Sequence, residues 1–340
     1  MRCLLLLIFC ITTQAQTSDF KSIDFRLADS IAAEYKVKGI NNLPLLTQNL
    51  TINLNTDVEK FRAIYTWVCS NISNDYNLSF RNNRRRNKYV QDEDNLTQWN
   101  KEFNAKVFKT LKRKHKTLCT GYAYLIKSMA ILANIECKII NGYGKNSQTG
   151  SKDLRSPNHS WNAVKLNNKW YLCDPTWSAI KGTGLSSSQS KQRIEAYFLA
   201  DPKLFSLNHF PVEEKWFLLD SNKPNFDSFS NAPILYSKAF NSFSSHDFPK
   251  SLITNLVKNE TVQFKYSMHS VIDKDDIKLL IIDGNSDLLF SPESITIENK
   301  QLIFQYQFKY SGFYDVHLLI DNEAAASYSF NVSSTDIVSK

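Results

Sequence analysis

Glycine and proline are scarce, nine of each in 340 residues, so low-complexity linkers are few. Cysteine is scarce too. Six are present and no two stand in CxxC spacing, which argues against a zinc site. Cys3 and Cys10 fall in an N-terminal leader. The four that remain, Cys69, Cys119, Cys137 and Cys173, are too few for a disulfide framework. Cys137 and Cys173 both fall in predicted strands, so a single bridge between them stays open beside the reading of two buried thiols. No apolar run after the leader approaches the roughly 20 residues a bilayer span needs. What is left, 42% hydrophobic and 22% charged, is the balance of a globular chain. Its length suits two domains, or one large and one small.

The first fifteen residues, MRCLLLLIFCITTQA, read as a secretory signal. Arg2 is the positive end, Leu4 to Ile11 the apolar core, and Thr13-Gln14-Ala15 a small-x-small cleavage site. The mature chain is then expected to start at Gln16 and to be secreted or periplasmic. The formal net charge is +8, and loses one unit with Arg2. Two basic clusters supply much of it, RNNRRRNK at 81–88 and LKRKHK at 111–116. No recognition motif accompanies them and the leader points out of the cell, so nucleic acid is not expected as a partner. Solvated loops, with an anionic cell-envelope surface as the alternative contact, are the readings kept.

An amphipathic helix is predicted near Ile23 to Tyr35. In TDVEKFRAIYTWVCSNIS, Thr56 and Glu59 form a capping box, and Phe61, Ile64, Tyr65, Val68 and Ile72 follow at helical spacing. Residues 77–105 are polar and charged and read as a long surface excursion, with FNAKVFKTLKRK as a second helix. Tyr122, Leu125, Ile126, Met129, Leu132 and Ala133 place one apolar face on a helix that starts at or beside Cys119. CKIINGYG, HSWNAVKL and KWYLCDPTW read as strands, the last two joined by Asn167-Asn168. Residues 221–235 read as a linker. Beyond it, VQFKYSM, IKLLIID, SITIEN, QLIFQYQF, GFYDVHLLID and ASYSFNV are short alternating strands, expected to form an all-β, immunoglobulin-like sandwich over 236–335.

Cys119 opens three readings: a core thiol, half of a disulfide, or a nucleophile. A free thiol has a pKa of about 8.5, lowered at a helix N-terminus and beside an imidazolium. A thiolate nucleophile also needs a base and a group that orients the base. The Asn pair tests whether His159 and Asp174 fit. Asn tolerates positive φ, so a two-residue turn is expected. Leu166 then pairs with Lys169, Trp161 lies opposite Asp174, and His159 shares their face. His159 and Asp174 become diagonal neighbours, about 7–8 Å apart at the backbone, which two side chains can close. A three-residue turn would put them on opposite faces. His115 and His209 sit in no comparable setting.

FRAIYTWVCSNISNDY, LCTGYAYLIKSMAILANIECKIINGYG, HSWNAVKLNNKWYLCDPTW and YFLADPKLFSLNHFPVEEKWFLLD together resemble the transglutaminase-like superfamily, in the branch of kyphoscoliosis peptidase and many secreted bacterial relatives. The resemblance runs from about 55 to 220. It implies an α+β fold, a papain-like core of helices packed on an antiparallel sheet, spanning 16–220 with an N-terminal helical extension. It implies Cys119 as nucleophile, His159 as general base and then acid, and Asp174 as orienter, with no cofactor and no metal. Tyr76 and Trp161 are the expected cleft residues. The implied reaction is acyl transfer or hydrolysis on a protein or peptide amide through a thioester. The alternative is a silent scaffold of the same fold. Thr117 and Thr120 depart from the family's small or acidic residues around the cysteine, and the basic excursion is longer. Asn158-His159-Ser160 is a glycosylation sequon that contains the expected base. A glycan there would crowd the site, which points to a bacterial source.

Overall fold

The structure, a computed structural model, describes residues 17–35, 40–89, 91–284, 286–292 and 294–334. The expected secretory signal and cleavage site lie outside the described residues. Two short helices, α1 (Arg26–Glu34) and α2 (Leu43–Thr51), lead to the central helix α3 (Asp57–Asn71). The capping box is present: Glu59 N–H donates to the Thr56 hydroxyl at 3.3 Å, and Thr56 N–H donates to the Glu59 carboxylate at 2.9 Å. The helix is buried on more than one face. Phe61, Ile64, Tyr65, Trp67 and Val68 have no exposure at all. Arg62 is buried as well, where it holds Asp29 at 2.7 Å and 3.0 Å and lies over the Phe198 ring.

Strand β1 (Ser73–Asn74) opens the excursion, which the structure shows to be helical. It consists of α4 (Tyr76–Lys88) and α5 (Glu93–Lys114). Asp75 and Asp92 cap them by accepting from the N–H groups of Leu78 and Asn95. The apolar spacing is too sparse to announce α4, since Leu78 is its one buried residue. The helices close over a small cluster of Leu78, Phe103, Val107 and Leu118. β2 (Lys116–Thr117) pairs in parallel with β1 and delivers the chain to α6 (Cys119–Leu132).

Helix α6 packs against α3 and against an antiparallel sheet. That sheet contains β3 (Cys137–Gly144), β4 (His159–Leu166) and β5 (Lys169–Cys173). After α7 (Ser187–Ala196) and α8 (Pro202–Asn208), a three-residue strand, β6 (His209–Pro211), joins on the far side of β3, giving the order β5-β4-β3-β6. The turn between β4 and β5 has two residues. Leu166 pairs with Lys169, and Asn167 and Asn168 have φ of 49° and 62°. Two positive φ values define the hairpin turn whose twist matches its strands.

The stretch from 221 to 235 holds α9 (Phe226–Asn231) and β7 (Ile234–Leu235). After α10 (Ser237–Ser242) the chain is all β: β8 (Phe243–Phe248), β9 (Ile253–Val257), β10 (Thr261–Met268), β11 (Ile277–Ile282), β12 (Asp287–Phe290), β13 (Thr296–Glu298), β14 (Gln301–Gln307), β15 (Gly312–Ile320) and β16 (Glu323–Ser333). They form a sheet ordered β13-β14-β10-β8 and another ordered β12-β11-β15-β16-β7, with β9 also on β16. The sheets face each other through Phe264, whose ring meets Tyr328 and Phe330. The overall class is α+β with a C-terminal all-β region. Among the described residues no helix is long and apolar enough to cross a membrane.

The hairpin gives a direct test. Asn168→Val places a β-branched residue at positive φ and is expected to cost about 1–2 kcal/mol. Asn168→Gly is expected to cost little. Urea denaturation measures both, and equal losses would refute the turn.

Candidate active site

Asp174 directly follows β5 and is completely buried. Its Oδ1 accepts from the N–H groups of Thr176 at 2.8 Å and Trp177 at 3.2 Å. An aspartate that bonds its own chain two and three residues ahead is locked in direction. Its Oδ2 faces two imidazoles, His159 Nε2 at 2.7 Å and His209 Nε2 at 3.0 Å. Burial opposes ionisation, but the charge of His159 and the bonds from both rings outweigh it and hold the carboxyl well below its usual range.

His159 is the first residue of β4, opposite Gly142 on β3. Two residues on, Gly144 lies so close that a Cβ there would sit 2.9 Å from the His159 ring. Trp177 stacks on the His159 ring, with ring centroids 5.3 Å apart and planes 25° from parallel. Burial disfavours the imidazolium, yet the charge and hydrogen bond of Asp174, with help from Cys119, raise His159 to about 10.

Cys119 is the first residue of α6, and its N-cap, Leu118, offers no side-chain oxygen to the first-turn N–H groups. The His159 ring and the Ser160 N–H both act on its thiol. Because Asp174 occupies Nε2, the nitrogen left for sulfur is Nδ1. Burial pushes the thiol up, but His159 and the Ser160 N–H prevail and its pKa ends lower than that of a free thiol. Cys69, Cys137 and Cys173 are free and buried. Burial raises all three thiols, Cys137 to about 12.

The expected cleft residues separate. Tyr76 opens α4 and is 71% exposed. Trp161 is 1% exposed and backs the site from inside the core, its ring centroid 6.0 Å from His159 and 5.1 Å from His209. Sequence reasoning passed over His209 and Trp177. His209 stacks on Phe205 at 3.7 Å and is fully buried. Burial lowers it to about 4 against the pull of Asp174, so it is neutral at pH 7. Its one N–H then serves the nearer of two acceptors, the Asp174 carboxylate at 3.0 Å rather than the Phe205 carbonyl at 3.3 Å. Trp177 had a signal, three residues beyond Asp174 in DPTW. His209 had none nearby, because β6 reaches β3 by a non-local pairing.

His159, Asp174 and His209 also present three potential ligand atoms within 4.8 Å of one another. Both imidazoles already bond the same carboxylate oxygen, and the side chains are 8%, 0% and 0% exposed. A catalytic metal needs an open position for water or substrate, and this closed set fits a hydrogen-bonded carboxylate better.

Residues 45–175 match the model of the transglutaminase-like superfamily. The matched segment includes Cys119, His159 and Asp174. Among known proteins, the chain is similar to kyphoscoliosis peptidase of Homo sapiens, with 31% identity over 197 residues, covering 57% of this chain and 27% of that protein. It is similar to hillarin of Drosophila melanogaster, with 27% identity over 233 residues, covering 64% of this chain and 26% of that protein. The chain thus spans about a quarter of the length of these curated relatives. A solved structure described as a TGase aligns with 13% identity and a TM-score of 0.29 over 52% of this chain and 39% of that one.

Two tests follow from the geometry. Gly144→Ala is expected to displace the His159 ring and weaken its bond to Asp174, seen as a fall in the imidazole pKa by NMR. The second concerns His209, whose folded pKa of about 4 lies below its ordinary 6.5. As pH falls, the unfolded chain takes up that proton first. Stability from the neutral ring is therefore present above about pH 6.5 and is lost toward pH 4. His209→Gln is expected to flatten the urea midpoint across that window. An unchanged slope would assign it to another group.

Proposed function

We propose that this chain is a cysteine acyl-transfer enzyme acting on protein or peptide amides. The observation that carries the reading is the His159 ring, bonded to Asp174 at 2.7 Å and acting on the thiol of Cys119 at a helix N-terminus. In this reading the thiolate attacks the amide carbonyl and forms a C–S bond. First-turn N–H groups of α6 offer donors to the developing oxyanion. His159 gives its proton to the leaving amine as the C–N bond breaks, leaving a thioester. Water or a second amine then attacks, His159 takes its proton, and the C–S bond breaks to restore the thiolate–imidazolium pair. Asp174 keeps Nδ1 aimed at sulfur and stabilises the imidazolium. His209 and the two backbone N–H groups keep Asp174 in place. The place of action proposed from residues 1–15 is outside the cytoplasm.

A thiol-reactive probe that mimics a peptide amide tests the reading. Cys119 is expected to label quickly at pH 7, and His159→Ala to slow labelling by about 100-fold. Asp174→Asn is expected to slow it as well, with the fold intact by circular dichroism. Equally slow labelling of the parent and His159→Ala would rule out the activated thiol and leave a silent scaffold.

A further inference from the structure

The helical excursion carries charge that no carboxylate balances. From Tyr76 to Lys114 there are eleven Lys or Arg and four Asp or Glu, which localises +7 of the chain's +8. Among the described residues, none of the eleven forms an ion pair. On α4, Arg81 and Arg85, and Arg84 and Lys88, are like charges one turn apart, a spacing that works against a helix. The helix dipole favours cations in the last turn but does not reach Arg81. Arg86 bonds Asn100 and the Pro157 carbonyl, and Arg85 lies over Trp99, but folding gives no such reason for Arg84 or for the positive excess as a whole.

Its placement gives one. At the start of α4, the Asp75 N–H donates to the Thr117 carbonyl at 2.7 Å, two residues before Cys119. Leu78 packs in the cluster that Cys119 borders. Toward the other end, Arg86 donates to the Pro157 carbonyl at 2.8 Å, two residues before His159, and to Asn100 at 2.8 Å. Helix α4 therefore runs alongside the site, from the cysteine side to the histidine side. Its outward face presents Tyr76 and Phe80, 71% and 70% exposed, and then Arg84 and Lys88, all four residues apart. Two exposed aromatic rings followed by cations without a carboxylate partner complement an extended chain with an apolar residue near the reacting amide and carboxylates beyond it.

We propose that the outer face of α4, backed by the basic α5, docks an acidic segment of a protein beside Cys119. Calling that protein a substrate rests on the acyl-transfer reading; the docking itself does not. The test uses the full chain carrying Cys119→Ala and three fluorescent peptides of equal length. Each has a Phe followed by three variable positions, filled with Glu, Gln or Lys. By anisotropy at low salt, the Glu peptide is expected to bind on the order of tenfold tighter than the Gln peptide. The gap is expected to close as salt shortens the screening length. Combining Arg81→Glu, Arg84→Glu and Lys88→Glu is expected to reverse the preference. The corresponding Gln triple is expected to erase it, with the fold of both checked by circular dichroism. Equal binding of the three peptides would overturn the proposal. So would binding to vesicles rich in anionic phospholipid without binding to the Glu peptide, which would assign the face to a membrane. A chain that fails the thiol-probe test but still selects the Glu peptide loses turnover and keeps the docking strip.

Discussion

One buried carboxylate organises this molecule. Asp174 has no contact with solvent, and an ionised group in that position is tolerable only when its oxygens are fully bonded. Four donors meet it: two backbone N–H groups from the turn it begins, and two imidazoles. The imidazoles diverge because they share the anion unequally. His159 holds the shorter bond and is also favoured in its charged form by Cys119, and it is raised to about 10. His209 lies deeper against Phe205 and beside a charged neighbour, and it is lowered to about 4. Opposite displacement of neighbouring titratable groups is how an environment divides acid–base roles. Here it leaves one charged ring facing sulfur and one neutral ring as a fixed donor.

That arrangement explains how much of the site was legible in the sequence. The His159–Asp174 contact follows from strand parity and a turn of known length, both local properties of HSWNAVKLNNKWYLCD. The helix start at Cys119 was legible because a long apolar run begins there. His209 was not. It belongs to a three-residue strand whose partner, β3, lies some sixty-five residues earlier, and no local pattern encodes that pairing. Helix α4 and the first half of α5 were missed for a different reason, although FNAKVFKTLKRK marked the rest of α5 as helical. Their apolar positions are few, and their definition comes from the caps at Asp75 and Asp92 and from packing against Leu118. The capping aspartates were visible, but hydrophobic periodicity is the stronger guide and it was silent.

The placement of His209 also shows what the C-terminal region contributes to the site. Asn208, its neighbour, is fully buried and clamps the Leu235 backbone, giving a hydrogen bond of 2.8 Å to the carbonyl and accepting one of 3.3 Å from the N–H. Leu235 lies in β7, which pairs with β16. On the opposite side, the Lys145 N–H bonds the Asn208 carbonyl at 2.9 Å, directly after the Gly144 that abuts His159. The Lys145 ammonium turns inward to the carbonyls of Phe229, Ser230 and Ala232, and burial lowers its pKa to about 7. One hydrophobic cluster runs through Trp161, Leu204 and Phe205 into Phe240, Phe264 and Tyr328. The second donor to Asp174 is thus fixed by residues that extend into the β region. A strand as short as β6 has little pairing of its own to hold it in register. The clamp at Asn208 and the carbonyl cage around Lys145 supply that hold, so the aim of the carboxylate depends on the all-β region as well as on the core that contains Cys119.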